Sequence, residues 1–247
     1  MVSEVRYLVK KYLRWLRECG VHGLIRLWMR DQDERLVRLN TRSFGEIFVR
    51  NRVEDFEVVN TVFCFHAYDV RRLRSFSGTV IGANIGISVR YFLQFLPKAK
   101  VIAVEPSNKN CSIFEMNIGL RPDRDRVRLL QCAIGSKRGR GYLVADDAGR
   151  YDSFKVAASK PDLAKGESVE VIGLSDLLAE VREPVILKID IEGAEDELLE
   201  ARGCWSHSVV RIMVEFHSPV FEARWCQTLM TEGWRAEKHF DTWHFQK

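Results

Sequence analysis

From about residue 78 onward, short apolar runs alternate with stretches whose apolar positions recur at helical spacing. That alternation predicts an α/β fold, with a mostly parallel sheet covered by helices on both faces. The runs that read as strands are Thr79–Ile81, Val101–Glu105, Val127–Ala133, Val185–Asp190 and Val209–Phe216. Helical spacing fits Ile87–Phe95, Lys109–Ile118, Leu174–Val181, Ala194–Ala201 and Phe221–Glu232. Between the third and fourth strands, Gly141–Asp146 and Ser168–Ile172 read as extra strands around a polar loop, Asp147–Lys165. Last come Trp234–Phe240, the turn Asp241-Thr242 and Trp243–Gln246, which read as a strand, a tight turn and a strand.

The first 75 residues follow another pattern. Val5, Leu8, Tyr12, Trp15 and Leu16 fall at helical spacing over residues 3–18, with Arg6, Lys10, Lys11, Arg14 and Arg17 between them. Gly20 stops that helix, and a second short one runs from His22 to Met29. Leu36–Leu39 and Ile47–Arg50 form a hairpin, and residues 55–66 turn helical. With no repeat and no low-complexity linker, we expect a helical and hairpin extension (1–75) followed by the main domain (76–247).

Composition changes this picture little. A chain of 247 residues, 46% hydrophobic and 29% charged, can bury one good core. No run reaches the roughly 18 to 20 apolar residues needed to cross a bilayer, and the first residues lack the plan of a secretory signal. A cytoplasmic location is the expectation. Six scattered cysteines form neither a C-x-x-C pair nor a zinc spacing. The net charge of +4 is uneven: residues 1–75 hold 15 Lys/Arg against 10 Asp/Glu, an excess of +5, and the rest holds −1. The basic amphipathic helices either lie on a membrane surface or pack on the protein's own core. Aromatic and basic residues do not share an evident base-stacking face, so no nucleic-acid partner is expected.

Candidate chemistry begins at Gly82-Ala83-Asn84-Ile85-Gly86, which follows a strand and opens a helix. Glycines there allow a sharp turn and close approach to a ligand, and the helix start offers free N–H groups. The next strand ends in Glu105, about 20 residues on, where an acid can bind ribose hydroxyls. The spacing is G-x-x-x-G. A dinucleotide fingerprint, G-x-G-x-x-G, has a middle glycine that lets a pyrophosphate approach. Its absence favours a smaller adenosyl ligand over nicotinamide. Downstream, alternation puts Lys188 and Asp190 on one side of their strand, and Glu192, Gly193 and Glu195 turn into the next helix. Glu192 and Glu195 suit capping as well as catalysis.

These stretches resemble the FkbM family of methyltransferases. The likeness runs through residues 82–88, Val101–Ser107, Asn110, Asn117, Leu187–Glu195 and Val214–His217, and covers roughly residues 45–240 in order. It implies a Rossmann-like class I methyltransferase fold, a seven-stranded sheet whose last strand is antiparallel. It also implies S-adenosylmethionine as donor and a hydroxyl oxygen of a sugar, glycan or secondary metabolite as acceptor. Carried onto this chain, the cofactor residues are Gly82, Ala83, Asn84, Gly86, Glu105, Pro106, Ser107, Asn110 and Ala133. The catalytic group is Lys188, Asp190, Glu192 and His217. With neighbouring strands as the family has them, Asp190, Glu215 and His217 would line one pocket. There His217 or a carboxylate could take the hydroxyl proton, or Asp190 and Glu215 could hold magnesium; two acids are a weak signal for a metal.

One departure bears on activity. The family usually carries an acid two residues before the first glycine of the turn; the ungapped match puts Val80 there, and the sequence also reads as though an Asp-plus-apolar pair were absent between Ile81 and Gly82. That acid would bind the cofactor's ammonium, in a bond of roughly 1.5–3 kcal/mol. Its loss leaves open a second reading, a catalytically impaired binding or scaffold protein on the same fold.

Overall fold

The N-terminal stretch forms α1 (Val2–Trp28), two helical runs that meet in a kink at Gly20, whose φ of 67° is a left-handed conformation open to glycine. The computed structural model describes residues 2–31, 33–82, 84–144, 155–157, 167–191, 195–205 and 207–247. Spacing along the sequence separates two helices at Gly20, and the backbone leaves helical geometry at that residue. α1 docks through Lys11, Trp15, Cys19, Gly23 and Leu27, a strict four-residue row. Val5, Leu8 and Leu16 of the expected apolar stripe lie off that row and stay exposed. No helix among the described residues is long and apolar enough to cross a membrane.

β1 (Leu36–Thr41) and β2 (Gly45–Arg50) pair antiparallel, with Val37, Leu39 and Thr41 turned inward. α2 (Val53–Val59) passes into a π-helical turn, Asn60–Cys64. Then come β3 (Thr79–Ile81), α3 (Ile87–Phe95), β4 (Lys100–Val104), α4 (Asn108–Ile118) and β5 (Val127–Leu130). An insertion follows: β6 (Ala133–Gly135), β7 (Gly139–Val144), β8 (Lys155–Ala157) and β9 (Glu167–Gly173). The alternation resumes with α5 (Leu174–Ala179), β10 (Val185–Ile189), α6 (Glu195–Glu200), β11 (Val209–Glu215), α7 (Pro219–Thr231), β12 (Arg235–His239) and β13 (Thr242–Gln246).

The main sheet has the order β12-β13-β11-β10-β3-β4-β5. It is parallel from β11 to β5, and β13 runs antiparallel to both its neighbours. This is the seven-stranded sheet that the resemblance implies. The run expected as one strand over Val127–Ala133 divides, because the Cys132 N–H turns back to the Leu130 carbonyl (3.0 Å). Ala133 then enters a second sheet, β6-β9-β7-β8. Most of the expected loop Asp147–Lys165 lies outside the described residues; β8 falls within it.

Central strands bury both faces, so their apolar runs are continuous rather than alternating. On β3, β4 and β10, Val80, Val101, Ala103 and Ile186 face a core that includes Trp15, Phe56, Phe63, Tyr91 and Phe114. Their neighbours Ile81, Ile102, Val185 and Leu187 face the opposite core, with Leu177, Leu198, Trp205 and Trp225. The N-terminal elements thus thicken one face of the sheet and share its core.

Candidate active site

β3 pairs with β4 on one side and β10 on the other, so the strand order reverses there and opens a crevice at the carboxyl ends. The glycine turn leaves β3 at that point. Gly82 has φ 153°, and a Cβ on it would lie 2.9 Å from Lys188 Cβ and 3.0 Å from Lys188 Cδ. The lysine stem on β10 therefore requires glycine. Asn84 holds a positive φ of 112°, its own Oδ1 accepting from the Ile85 N–H at 2.6 Å. Asn117 ties the turn to the N-terminal hairpin: it accepts from the Phe48 N–H (2.8 Å) and donates to the Phe48 and Ile85 carbonyls (2.9 Å each). Arg90 adds bonds to the carbonyls of Phe44, Glu46 and Asn117.

Glu105, just past β4, is buried and turned onto its own loop. Its Oε1 accepts from the Ser107 N–H (2.9 Å) and Asn110 Nδ2 (3.1 Å). Burial pushes its carboxyl up to about 7, outweighing those two bonds. Glu105 thus holds Asn110, and Asn110 faces the crevice with a buried Oδ1 that has no partner among the described residues.

On β10, alternation brings Lys188 Nζ to 2.8 Å from Asp190 Oδ2. The lysine side chain is only 5% exposed, its ammonium 5.5 Å from the centroid of the Tyr68 ring. Burial works against its charge, but the Asp190 carboxylate outweighs this and raises its pKa above the ordinary lysine value. Burial also opposes ionisation of Asp190, yet Lys188 holds it below the ordinary carboxylate range. Glu215, ending β11, is pushed up to about 7 by burial and then by Asp190. Two neighbouring acids so differ in role, one ionised and one part-protonated near neutrality.

His217 follows β11 by two residues. Its Nδ1 lies 2.8 Å from Oε1 of the fully buried Glu195, and its Nε2 lies 3.9 Å from Asp190 Oδ1. A carboxylate accepts, so in the neutral ring Nδ1 carries the hydrogen and Nε2 keeps the lone pair. An imidazole with its tautomer set and its ring steadied is what a general base needs.

Lys188, Asp190, Glu215 and His217 line one open cleft, apolar and polar groups converging as in small-ligand sites. Its other wall, residues 50–62, carries groups that the sequence reading does not single out. Arg50 and Arg52 both bind Asp55, which accepts from the Arg50 N–H (2.8 Å), Arg50 Nη2 (2.8 Å) and Arg52 Nε (3.1 Å). Two arginines and an acid among the core residues Val49, Phe56 and Val59 are the available signal, but a solvated helix start has the same composition. Among the described residues, no group of three or more His, Cys, Asp or Glu side chains is placed to hold a metal ion.

Of the expected cofactor residues, Asn84 and Asn110 line the cleft, Gly82 and Gly86 shape the turn, and Ser107 caps α4 by accepting from the Asn110 N–H (3.4 Å). Pro106 sits in the loop between Glu105 and Ser107. Ala133 opens β6 in the second sheet and is not among the residues lining the cleft. Ala83 and Glu192 lie outside the described residues. Lys188, Asp190 and His217 come together, joined by Glu195.

The Methyltransferase FkbM domain matches residues 81–242. The methyltransferase sdnD of Sordaria araneosa is 27% identical over 180 residues, which span 61% of this chain and 70% of that protein. The crystal structure of methyltransferase FkbM from Methylobacillus flagellatus superposes with a TM-score of 0.50 at 15% identity, a likeness of fold. That superposition covers 69% of this chain and 44% of the other, so the chain spans less than half that structure's length. With the domain match running from the glycine turn to the last hairpin, the chain belongs to the FkbM-domain family of S-adenosylmethionine-dependent methyltransferases.

Proposed function

We propose that this protein methylates a hydroxyl oxygen of a small molecule or glycan, with S-adenosylmethionine as donor. The observation that carries this reading is His217, steadied by buried Glu195 and directed at the cleft beside Asp190. The residues present fit the cofactor: Asn110 Oδ1, without a partner among the described residues, suits a ribose hydroxyl, and the bare backbone at Gly82 admits close approach. When bound, S-adenosylmethionine supplies a methyl group on a cationic sulfur, which the acceptor oxygen takes as the carbon–sulfur bond breaks. His217 Nε2 accepts the hydroxyl proton, and Glu195 stabilises the imidazolium that results. Lys188 keeps Asp190 ionised near the developing charge. Part-protonated Glu215 can donate a hydrogen bond to a second acceptor oxygen. Magnesium on Asp190 and Glu215 is the other way to activate the hydroxyl, and it predicts loss of turnover with a chelator.

Incubation with methyl-labelled cofactor and hydroxyl-bearing candidates, read by mass spectrometry, tests the reaction. Label on an acceptor oxygen supports it; transfer only to nitrogen or carbon rejects it. The impaired alternative rests on the missing acid, and it predicts weak or absent cofactor binding that restoring the acid would raise.

We propose a lipid partner for α1 as well. Val5, Val9, Leu13, Val21, Ile25 and Trp28 are exposed along it, with the exposed cations Arg6, Lys10, Arg17 and Arg26. Apolar side chains with flanking cations suit the headgroup region of an anionic bilayer. This sets the enzyme against the cytoplasmic face of a membrane. Flotation with phosphatidylserine vesicles but not with neutral ones supports the reading; no flotation with either removes it.

A further inference from the structure

The wall formed by residues 50–62 holds donors and an acceptor that do not satisfy one another. Arg50 and Arg52 have side chains only 3% and 7% exposed and share Asp55. Arg50 Nη1 and Arg52 Nη2 nevertheless have no partner among the described residues, and neither does the buried Oε2 of Glu54. All three residues line the same cleft as Asn84 and Ser88. A buried polar atom without a partner is costly, even on a group paired elsewhere, and such an atom in a native protein calls for an explanation. Unmet donors and an unmet acid on one wall fit a ligand that carries both charges on neighbouring atoms. The α-amino-acid group is such a ligand.

We propose that Arg50, Arg52 and Glu54 receive the amino-acid end of the cofactor, the guanidiniums binding its carboxylate and Glu54 its ammonium; this rests on the cofactor reading above. It accounts for the acid missing before Gly82. Val80 is fully buried in the apolar core with Ile186 and Phe56, beneath the cleft, and is not among the residues that line it. The chain instead brings its acid from the loop into α2. Asn117 fixes that arrangement by clamping Phe48 of β2 to the glycine turn, and Asp55 sets both guanidiniums. The domain match begins at Ile81, so these residues lie outside it.

Calorimetry of the full chain with S-adenosylhomocysteine and with 5′-methylthioadenosine, which lacks the amino-acid group, tests the proposal. The wild-type protein is expected to prefer the former. Arg52→Gln and Glu54→Gln should each weaken S-adenosylhomocysteine about 10- to 100-fold, the loss of one charge-assisted bond, and change methylthioadenosine less than about twofold. Arg50 is left intact because its backbone and side chain both bind Asp55. Equal losses of the two ligands in both variants, or unchanged S-adenosylhomocysteine affinity in both, overturn the receptor. So does an Arg52→Gln effect confined to the acceptor's KM, which would put the bound anion on the acceptor. Wild-type protein that binds neither ligand overturns the cofactor reading itself.

Discussion

Asp55→Ala removes the carboxylate that holds the arginine wall in place. Asp55 accepts from four donors: the Arg50 N–H, Arg50 Nε and Nη2, and Arg52 Nε, at 2.8 to 3.1 Å. Both guanidiniums are buried, so water replaces few of these bonds. Removing one partner of a buried ion pair costs about 3–5 kcal/mol, chiefly because the other charge stays behind. Glu34, half-exposed and 3.4 Å from Arg52 Nη1, softens the loss on that arginine. A net cost of about 4 kcal/mol follows, a large share of the roughly 5–15 kcal/mol that holds a native domain. With a urea slope of about 3 kcal/mol per molar, the unfolding midpoint falls by about 1.3 M. Asp55→Asn keeps an acceptor without the charge and should fall about half as far. A shift of less than about 0.3 M for Asp55→Ala would refute the reading of these residues as a buried ionic network.

Val80→Asp, the substitution that restores the family's acid by position, should destabilise by several kcal/mol and fail to raise cofactor affinity, because it buries a carboxylate in an apolar core; tighter binding in a titration would contradict this. His217→Ala should lower turnover about 10²- to 10⁴-fold with S-adenosylhomocysteine affinity retained, and Glu195→Gln should lower it less. Unchanged turnover on the true acceptor would remove His217 as base. The Glu105 carboxyl keeps its proton in the folded protein above the pH at which the unfolded chain loses it, so stability falls as pH rises from 4.5 to about 7. Glu105→Gln should remove about 2 kcal/mol of that fall in urea titrations across this range, while the similar slope from Glu215 persists.

Much of the sheet is legible in the sequence because its central strands are short runs of β-branched and aliphatic residues between glycine turns and amphipathic helices. The glycine turn itself reads clearly: Gly82 is demanded by the Lys188 stem. Strand alternation likewise places Lys188 beside Asp190. What escapes is set by pairings distant in sequence. Glu195 reads equally as a cap, and only the fold joins it to His217, 22 positions away. Arg50, Arg52 and Glu54 escape for the same reason, since Asn117, 69 positions from Phe48, brings that wall to the turn. Glu105 shows the reverse: its spacing suggests direct ligand contact, but a nearby serine N–H and Asn110 compete for its carboxylate. On α1, composition predicts two faces, but which apolar residues dock depends on the four-residue row that meets the hairpin.

Every role proposed for the cleft depends on S-adenosylmethionine binding in the crevice between β3 and β10. Calorimetric titration of the wild-type protein with S-adenosylmethionine tests it most directly. Saturable binding at one site per chain with micromolar affinity is expected; no heat of binding at millimolar cofactor, from protein shown to be folded, would rule the site out.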